Sequence, residues 1–392
     1  MNPLVARVLI ASFFWGIGGN LSWFFLNFHL EAIGFSKTQI GYANAVPAVA
    51  GVLLALPLAL LIPRLGYVRS ILLGAGLSVL GMMGVASGLA VYPGLVLNGA
   101  GTGLVMGSVA PLLALMVSER QRVDVFTWQQ SVVAGAGFLG ALLGGYLPEL
   151  VGTGNVMYLV ALAACLSSLT IWGMPEARGS AERFSFRNRR NWLLLLLPQA
   201  LVGLGAGLVV PFLNLYMQAK FSLEYNQIGW IFAATSITGI VILAVQPLLA
   251  RRLGKVGAIM VVQAASLPFL MILAWAPWLW LVTVALFVRG ALMNSTGPVH
   301  TALMMDYLEE DERSGFLLIQ GATWQVGWAV SSSLSGYVQE TQGLAGFNLL
   351  FGVMLVLYVA AILYYPLFFR PRAVKQSNRD AAPLPRVAQS GD

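Results

Sequence analysis

The sequence predicts an all-α membrane protein of twelve transmembrane helices, arranged as two pseudo-symmetric six-helix bundles. Three observations support this fold class: an apolar composition, a series of long uncharged runs, and a recurring match between the two halves of the chain. Of the 392 residues, 58% are hydrophobic and 9% are charged, and the mean hydropathy is +0.80. A soluble domain carries about 25% charged residues, so a bilayer is the solvent that suits this chain.

Uncharged runs of about 20 residues are long enough to cross the hydrocarbon core as helices. Two breaks inside longer runs are marked by Tyr92-Pro93-Gly94 and by Trp275-Ala276-Pro277-Trp278. The runs are continuous, unlike the alternating segments of a membrane barrel, and the first is longer than the apolar part of a cleaved signal peptide. The predicted spans are residues 8–30, 38–63, 70–92, 94–118, 125–148, 154–174, 191–218, 225–250, 256–276, 279–306, 314–338 and 344–369.

Polar segments divide the chain into an N-terminal bundle (1–174), a basic linker (175–190), a C-terminal bundle (191–369) and a tail (370–392). The linker is rich in arginine, which in isolation is also typical of a nucleic-acid-binding patch. Its position between two sets of membrane spans favours a cytoplasmic loop instead. The polar tail, which contains proline, is predicted to be disordered and cytoplasmic.

The Lys and Arg distribution predicts that both termini are cytoplasmic, because positive residues concentrate on that side of a membrane. In this orientation all but three of the 22 Lys and Arg residues fall inside. Lys37 and Lys220 fall outside, and Arg289 lies within a span. We therefore expect an integral protein of a bacterial inner membrane.

The two halves match each other at shifts of 187 to 191 residues, which indicates related bundles. Gln39-Ile40-Gly41 corresponds to Gln227-Ile228-Gly229, and Gly145-Tyr146 corresponds to Gly336-Tyr337. Repeats joined by a loop are a transporter architecture, with the substrate site at the interface between the repeats.

From about Leu4 to Phe369 the chain resembles the major facilitator superfamily of transporters. The loop between spans 2 and 3 carries part of the family's signature, and the second half repeats it, although the signature Asp is absent from both copies. The resemblance implies alternating access, a cavity lined by helices 1, 4, 5, 7, 10 and 11, and a gating role for Arg64, Gly66, Arg69, Arg252 and Gly254.

Span 5 resembles the glycine-rich motif of the family's antiporters. Gly140, Gly144 and Gly145 fit this motif, whereas Ala141 stands where the motif has proline. This resemblance favours export over import.

Arg289 is the charged residue placed deepest in the membrane, since it lies about 15 Å along span 10. A charge at that depth is costly in lipid and should face a cavity or a partner. Two interpretations remain open: Arg289 binds an anionic or carbonyl-rich substrate, or it is structural and bonds to carbonyls and amides. Thr296 and His300 share its helical face. His300 is a candidate for proton coupling, and Asp306 is a candidate for coupling or for a cytoplasmic gate.

Polar and aromatic side chains on other predicted faces complete the candidate site; the alternative is that they join helices to one another or, for Gln129 and Gln320, that they cap the cytoplasmic helix ends. Asn20, Trp23 and Asn27 share one face of span 1. Asn98 corresponds to Arg289, so the charge lies on one side of the cavity only. The candidate substrate-binding residues are Arg289, Asn20, Trp23, Asn27, Asn98, Gln129, Asn214, Tyr216, Thr296, Gln320 and Trp324.

One cysteine, Cys165, and two histidines do not support a disulfide framework or a metal site. No nucleotide-binding loop and no nucleophile–base pair is visible, so no cofactor, no nucleic-acid partner and no enzymatic activity is expected.

The predicted partners are a small-molecule substrate and membrane lipids, and the protein is expected to be a monomer. The predicted function is secondary active transport of an amphipathic or organic-anion substrate. The alternatives are a sugar or metabolite facilitator, an uptake symporter, and a non-transporting receptor, scaffold or lipid scramblase.

Overall fold

The computed structural model describes residues 2–178, 189–243, 246–308 and 312–369, and almost all of these residues are helical. The all-helical membrane fold predicted from composition is confirmed. Within these ranges ten helices are long and apolar enough to cross a membrane, and one of them, Ile319–Phe368, contains two spans joined at a break. The first bundle consists of α1 (Pro3–Ala32), α2 (Lys37–Leu65), α3 (Tyr67–Ala86), α4 (Val91–Met116), α5 (Glu119–Val151) and α6 (Val156–Ile171).

Glycines with positive φ angles divide the helices of the second bundle. Gly254 has a φ angle of 74° inside Gln246–Trp275, and Gly343 has a φ angle of 57° inside Arg313–Phe368. Residues other than glycine rarely adopt this conformation, so each glycine ends one span and begins the next. The bundle consists of α7 (Arg189–Val209, continued through a 3-10 turn at Val210–Phe212 into Leu213–Phe221), α8 (Tyr225–Leu243 and 246–253), α9 (255–275), α10 (Leu279–Tyr307), α11 (313–342) and α12 (344–368).

The break between α3 and α4 lies at residues 87–90, so the predicted break at Tyr92-Pro93-Gly94 is wrong by a few residues. Gly88, with a φ angle of 72°, makes the turn. Pro93 instead sits in the first turn of α4, where a helix needs no backbone N–H.

Glu176 attaches the start of the linker to the first bundle. Its carboxylate accepts the backbone N–H of Val68 (2.9 Å) and of Arg69 (3.1 Å), the exposed donors at the start of α3. A carboxylate at a helix N-terminus also interacts favourably with the helix dipole. The Glu176 side chain occupies the space that a Cβ at Gly66 would need, and Gly66 has a φ angle of 93°. Both features explain why glycine stands in the signature loop. Of the remaining linker, Arg183 and Arg187 lie outside the described residues, as does the tail 370–392.

The bundles share a core at one end only. We call the end where α1 and α7 finish the distal end, and the end where they begin the proximal end. A single distal cluster contains side chains from both bundles, including Phe24, Phe28, Phe212, Tyr216 and Phe351. Toward the proximal end the described residues form two separate clusters, one around Val8 and Leu112 in the first bundle and one around Ile259 and Phe316 in the second. The bundles are therefore joined distally and separate proximally.

Candidate functional site

Two adjoining cavities of about 490 Å³ and 370 Å³ lie midway along the helices. Gly19 of α1, Pro47 of α2, Asn98 of α4 and Gln325 of α11 line both, so the two spaces form one continuous cavity. The lining comes mainly from the first bundle, and α11 supplies the wall from the second. A molecule in this cavity would contact both bundles.

Tryptophan side chains form an apolar wall across the two bundles. Trp23 of α1 lies 5.7 Å from Trp328 of α11, measured between ring centroids. Trp324 stacks on Trp328 at 6.4 Å, with the ring planes inclined by 28°. All three rings line the distal part of the cavity, and Trp23 is 46% exposed. Such rings bind flat apolar surfaces by stacking.

Amide side chains supply the polar groups of the cavity. In the described part of the chain, no hydrogen bond links the side chain of Asn98 or of Gln325 to another protein group. Asn20 donates from Nδ2 to the carbonyl oxygen of Gly16 (2.8 Å), which leaves its Oδ1 atom available. Every lining residue of the two cavities is uncharged. The cavity can therefore accept and donate hydrogen bonds without favouring either sign of charge.

Three asparagines connect the cavity to the contact between the bundles. Asn44 of α2 lines the cavity and donates from Nδ2 to Oδ1 of Asn27 (2.8 Å). Asn27, which is 1% exposed, donates in turn to Oδ1 of Asn214 (3.1 Å) and to the carbonyl oxygen of Pro211, both in α7. Asn214 donates back to the carbonyl oxygen of Phe24 (2.7 Å). The 3-10 turn in α7 brings the Pro211 carbonyl into this arrangement, which we call the amide relay.

Two glycine pairs allow the helices of opposite bundles to approach closely at the distal end. Gly41 of α2 meets Gly336 of α11, and a Cβ on Gly41 would lie 2.6 Å from the carbonyl oxygen of Ser332. Gly229 of α8 meets Gly145 of α5, and a Cβ on Gly229 would lie 2.9 Å from Cα of Gly145. The two pairs correspond to each other under the repeat shift.

A carboxylate lies beside each glycine pair and follows the same pseudo-symmetry. Glu340 accepts hydrogen bonds from the Ser36 hydroxyl (2.8 Å) and from the Thr38 N–H (2.9 Å). Its counterpart Glu149 accepts from Nδ2 of Asn226 (3.2 Å). The amide relay, the two glycine pairs and these carboxylate contacts together form what we call the distal seal.

The structure distributes the predicted substrate residues over several places. Asn20, Trp23, Asn98 and Trp324 line the cavity, whereas Asn27 and Asn214 belong to the amide relay. Gln129, Gln320, Thr296, Tyr216 and Arg289 are not among the lining residues of either cavity.

Tyr216 belongs to a separate buried contact in the second bundle. Its hydroxyl shares its one hydrogen between two carbonyl oxygens at the end of α9, of Leu273 (2.8 Å) and Ala274 (2.9 Å), and accepts from Nζ of Lys220 (2.7 Å). Thr296 donates to the carbonyl oxygen of Met293, one turn earlier in its own helix (2.8 Å). Both side chains are thus engaged with protein groups.

Arg289 is buried inside the second bundle, where it is 6% exposed. Its Nη2 atom lies 3.4 Å from the Tyr358 hydroxyl and 3.8 Å from the sulfur of Met354, and the guanidinium carbon lies 5.7 Å from the centre of the Tyr358 ring. In the described part of the chain it has no carboxylate partner. This placement favours the structural interpretation of Arg289.

We expect Arg289→Met to change substrate affinity by less than about threefold, and to leave thermal stability unchanged or slightly raised, because an apolar side chain of similar length often replaces a buried charge without loss. Ligand-binding isotherms and melting curves of the purified protein measure both. Tyr358→Phe, which removes the hydroxyl partner, is the matched control. A loss of affinity of tenfold or more in Arg289→Met alone would instead support the substrate-binding interpretation.

The predicted coupling and gating residues lie away from the cavity. His300 is 3% exposed and packs against Tyr365 at 6.2 Å between ring centroids. Asp306 forms an ion pair with Lys255 (2.6 Å) at the proximal end.

The residues of the signature loops are also proximal. Arg69 lies 3.7 Å from the carboxylate of Glu176, measured from Nε. Arg64, Arg252 and Gly254 are exposed there, and Gly66 is buried beneath Glu176.

Several residues that the sequence-based candidate set leaves out line the cavity, among them Asn44, Gln325 and Trp328. Trp328 lies one helical turn after Trp324 and shares its face of α11, which is the signal for Trp328. Gln325 lies three residues before Trp328, at the edge of the same face. Asn44 is an isolated amide in an apolar span. A polar side chain there needs a partner in a membrane, which is the signal that identifies it.

The sequence model of the Major Facilitator Superfamily matches residues 8–201 and 195–390 of this chain. No curated protein matches the sequence. Among solved structures, the nucleoside transporter NupG has a TM-score of 0.74 at 15% identity, with 93% of this chain and 99% of that chain covered. The D-xylose-proton symporter has a TM-score of 0.74 at 12% identity, with 93% and 97% covered.

A bacterial homologue of the iron transporter ferroportin was solved in two states. Its inward-facing state has a TM-score of 0.71 at 14% identity, with 93% of this chain and 98% of that chain covered. Its outward-facing state has a TM-score of 0.66 at 16% identity, with 93% and 99% covered. At these identities the likeness shows a shared fold.

Proposed function

The chain belongs to the major facilitator superfamily, a family of membrane transporters rather than enzymes, and on that premise we propose that it moves a small, uncharged, planar molecule with hydrogen-bonding groups by alternating access. The observation that carries this proposal is the cavity between the bundles. Trp23 and Trp328 supply a stacking wall, and the amides of Asn98 and Gln325 face the same space from opposite bundles. A molecule held by both amides would link substrate binding to the relative position of the bundles.

The uncharged cavity argues against two other substrate classes. An organic anion would need a cation in the wall, but Arg289 contacts Tyr358 and Met354 instead. A metal ion would need a cluster of acidic, imidazole or thiol ligands, and the described residues contain no such group. Nucleosides and D-xylose, named for two of the similar structures, are uncharged and rich in hydrogen-bonding groups. They are therefore suitable first probes.

We propose that the protein lies in a bacterial plasma membrane with both termini in the cytoplasm, as the Lys and Arg distribution predicts. The proximal end is then cytoplasmic, and the structure represents the state open to the cytoplasm. The separate proximal cores and the distal seal support this assignment. The TM-score of the inward-facing ferroportin homologue is also higher than that of its outward-facing state.

The direction of transport is proposed to follow the substrate gradient. The glycines that favour export in the sequence, Gly140, Gly144 and Gly145, lie at close contacts between helices: a Cβ on Gly140 would lie 2.7 Å from Cβ of Asn20, and Gly145 meets Gly229. The lining of the cavity includes no carboxylate that could carry a coupled proton. Exchange of substrate across the membrane without an imposed ion gradient is the behaviour expected.

Counterflow in proteoliposomes tests the proposal. Vesicles loaded with unlabelled uridine, D-xylose or nicotinamide should accumulate the same labelled molecule transiently, and nicotinate, the anionic analogue of nicotinamide, should give less than about a tenth of the signal. Asn98→Ala and Gln325→Ala should each raise KM about tenfold, since the loss of one hydrogen bond to a buried polar group costs about 1–3 kcal/mol. Preference for nicotinate over nicotinamide would contradict the uncharged substrate class.

A further inference from the structure

We propose that Asn44 is the residue through which an occupied cavity loosens the distal seal, an inference that rests on the proposed transport function. Asn44 lies at the boundary between two regions with different tasks. Its side chain lines the cavity beside Trp23 and Trp328. Its Nδ2 atom donates to the next member of the amide relay, at Oδ1 of Asn27. A substrate in the cavity and the distal seal can therefore both form hydrogen bonds with the side-chain amide of Asn44.

A substrate would compete with protein acceptors for the side-chain N–H groups of Asn44. Its two N–H groups donate to the carbonyl oxygen of Ile40 (3.0 Å), within α2, and to Oδ1 of Asn27 (2.8 Å). A substrate oxygen that accepts a hydrogen bond from Asn44 must take one of these donors. The bond within α2 holds the side chain to its own helix, so the donor directed at Asn27 is the one that a substrate in the cavity can withdraw.

Asn27 cannot easily replace that donor. It is 1% exposed, and its own Nδ2 is already engaged with Pro211 and Asn214 of α7. Withdrawal of the Asn44 donor leaves the Asn27 oxygen as a buried acceptor without a partner, which is unfavourable away from water. The unpaired oxygen of Asn27 can gain another partner when α1 and α7 move apart. A substrate that binds Asn44 therefore favours the state open at the distal end.

The relay differs in this respect from the rest of the distal seal. Gly41, Gly336, Gly145 and Gly229 do not line the cavity, nor do Glu149 and Glu340. These groups make closure possible but have no contact with a bound molecule. Asn44 alone, among the described residues, is both a cavity residue and a hydrogen-bonded member of the seal.

The test uses pairs of spin labels on full-length protein in which Cys165 is replaced by serine. Labels at Leu89→Cys and Trp278→Cys, both exposed at distal loops, report the distal separation by pulsed electron paramagnetic resonance. Without ligand, Asn44→Leu, which keeps the side-chain size but removes the donor, should increase the population with a long distal distance at least threefold. Asn44→Ala should act in the same direction. An unchanged ligand-free distribution in both variants would overturn the proposal whatever the substrate is.

Added uridine should lengthen the distal distance in the parent protein and in Gln325→Ala at saturating concentration, but not further in Asn44→Leu. Counterflow of uridine should show a kcat reduced tenfold or more in Asn44→Leu, whereas Gln325→Ala should mainly raise KM. A normal uridine response in Asn44→Leu would overturn the role of Asn44. Failure of every probe to bind the parent protein would contradict the proposed function while leaving the ligand-free comparison decisive for Asn44.

A double-mutant cycle separates the relay from a local packing effect. Asn27→Leu removes the acceptor, so Asn44→Leu should add nothing to the distal opening in that background. Additive effects of the two substitutions would show that Asn44 acts independently of Asn27 and would overturn the relay.

Discussion

Filling the cavity at Gly19 is expected to abolish transport while the protein stays folded. Gly19 lines both parts of the cavity, and a Cβ built on it meets no atom within 4 Å. In the series Gly19→Ala, Gly19→Leu and Gly19→Phe, the side chain grows into space that the substrate needs. Counterflow should be nearly unchanged for alanine and reduced by tenfold or more for leucine and phenylalanine, because the displaced stacking contact is worth about 0.5–1.5 kcal/mol beyond the area it buries and the lost volume excludes the ligand outright.

Stability should not fall together with activity in this series. Glycine in a helix interior is less favourable than alanine by about 0.5–1 kcal/mol, so Gly19→Ala should melt at the same or a higher temperature. Gly352→Leu is the matched control, since Gly352 also has open space around it but lies on α12 away from the cavity. Transport by Gly19→Phe at the parent rate would show that the substrate does not pass through this cavity.

The fold is readable from the sequence because its determinants are local. Long uncharged runs define the helices, and positive-φ glycines such as Gly254 and Gly343 separate spans that follow one another without a non-helical loop. The repeat can also be found without knowing any tertiary contact, since it needs only a comparison of one sequence stretch with another. The match of Gly145 to Gly336 and of Gly41 to Gly229 was visible as a sequence shift, but the sequence alone does not show that each glycine of one repeat meets a glycine of the other.

The candidate site can be predicted only in part, because the sequence shows which residues share a helical face but not which neighbour that face contacts. The sequence predicts Asn20 and Trp23 as one face of α1 that points inward, and both residues line the cavity. The same reasoning predicts an inward position for Arg289, since a deep charge must be shielded from lipid. The shield is Tyr358 and Met354 of α12 rather than the cavity. Which neighbour a buried polar face meets depends on helix rotation and packing, which composition and spacing do not determine.

The glycine pairs and carboxylates of the seal keep the pseudo-symmetry, whereas the cavity breaks it, and this contrast suits the proposed alternating access. Both glycine pairs and both carboxylates, Glu149 and Glu340, recur in the two repeats. Closure of the distal end thus uses corresponding residues on the two sides. The cavity wall comes mostly from the first bundle, with Trp324, Gln325 and Trp328 of α11 from the second. Corresponding residues allow the distal end to close in a similar way on both sides. A cavity with an asymmetric lining can recognise one particular molecule.

Replacing the glycines of the seal by larger residues should also disable transport, but by preventing closure of the distal end rather than by blocking the cavity as at Gly19. In Gly41→Ala/Gly229→Ala, each new Cβ meets backbone atoms of the other bundle, a carbonyl oxygen 2.6 Å away in one case and 2.9 Å away in the other. Backbone atoms cannot rotate aside, and overpacking of this kind costs about 1–3 kcal/mol at each site. The sum is enough to convert the distally closed state from a major to a minor population, since about 1.4 kcal/mol changes an equilibrium tenfold.

The expected result is a tenfold or larger fall in net flux, with a longer distance between distal labels at Leu89→Cys and Trp278→Cys and a shorter one between proximal labels at Trp172→Cys and Leu253→Cys. Gly290→Ala/Gly352→Ala is the matched control, because neither added Cβ meets an atom within 4 Å. Equal label distances and equal flux in the two double variants would show that the glycine pairs do not control closure. A fall in flux with unchanged distances would locate the defect at a later step than closure. Only the combined change supports a seal that must re-form in every transport cycle.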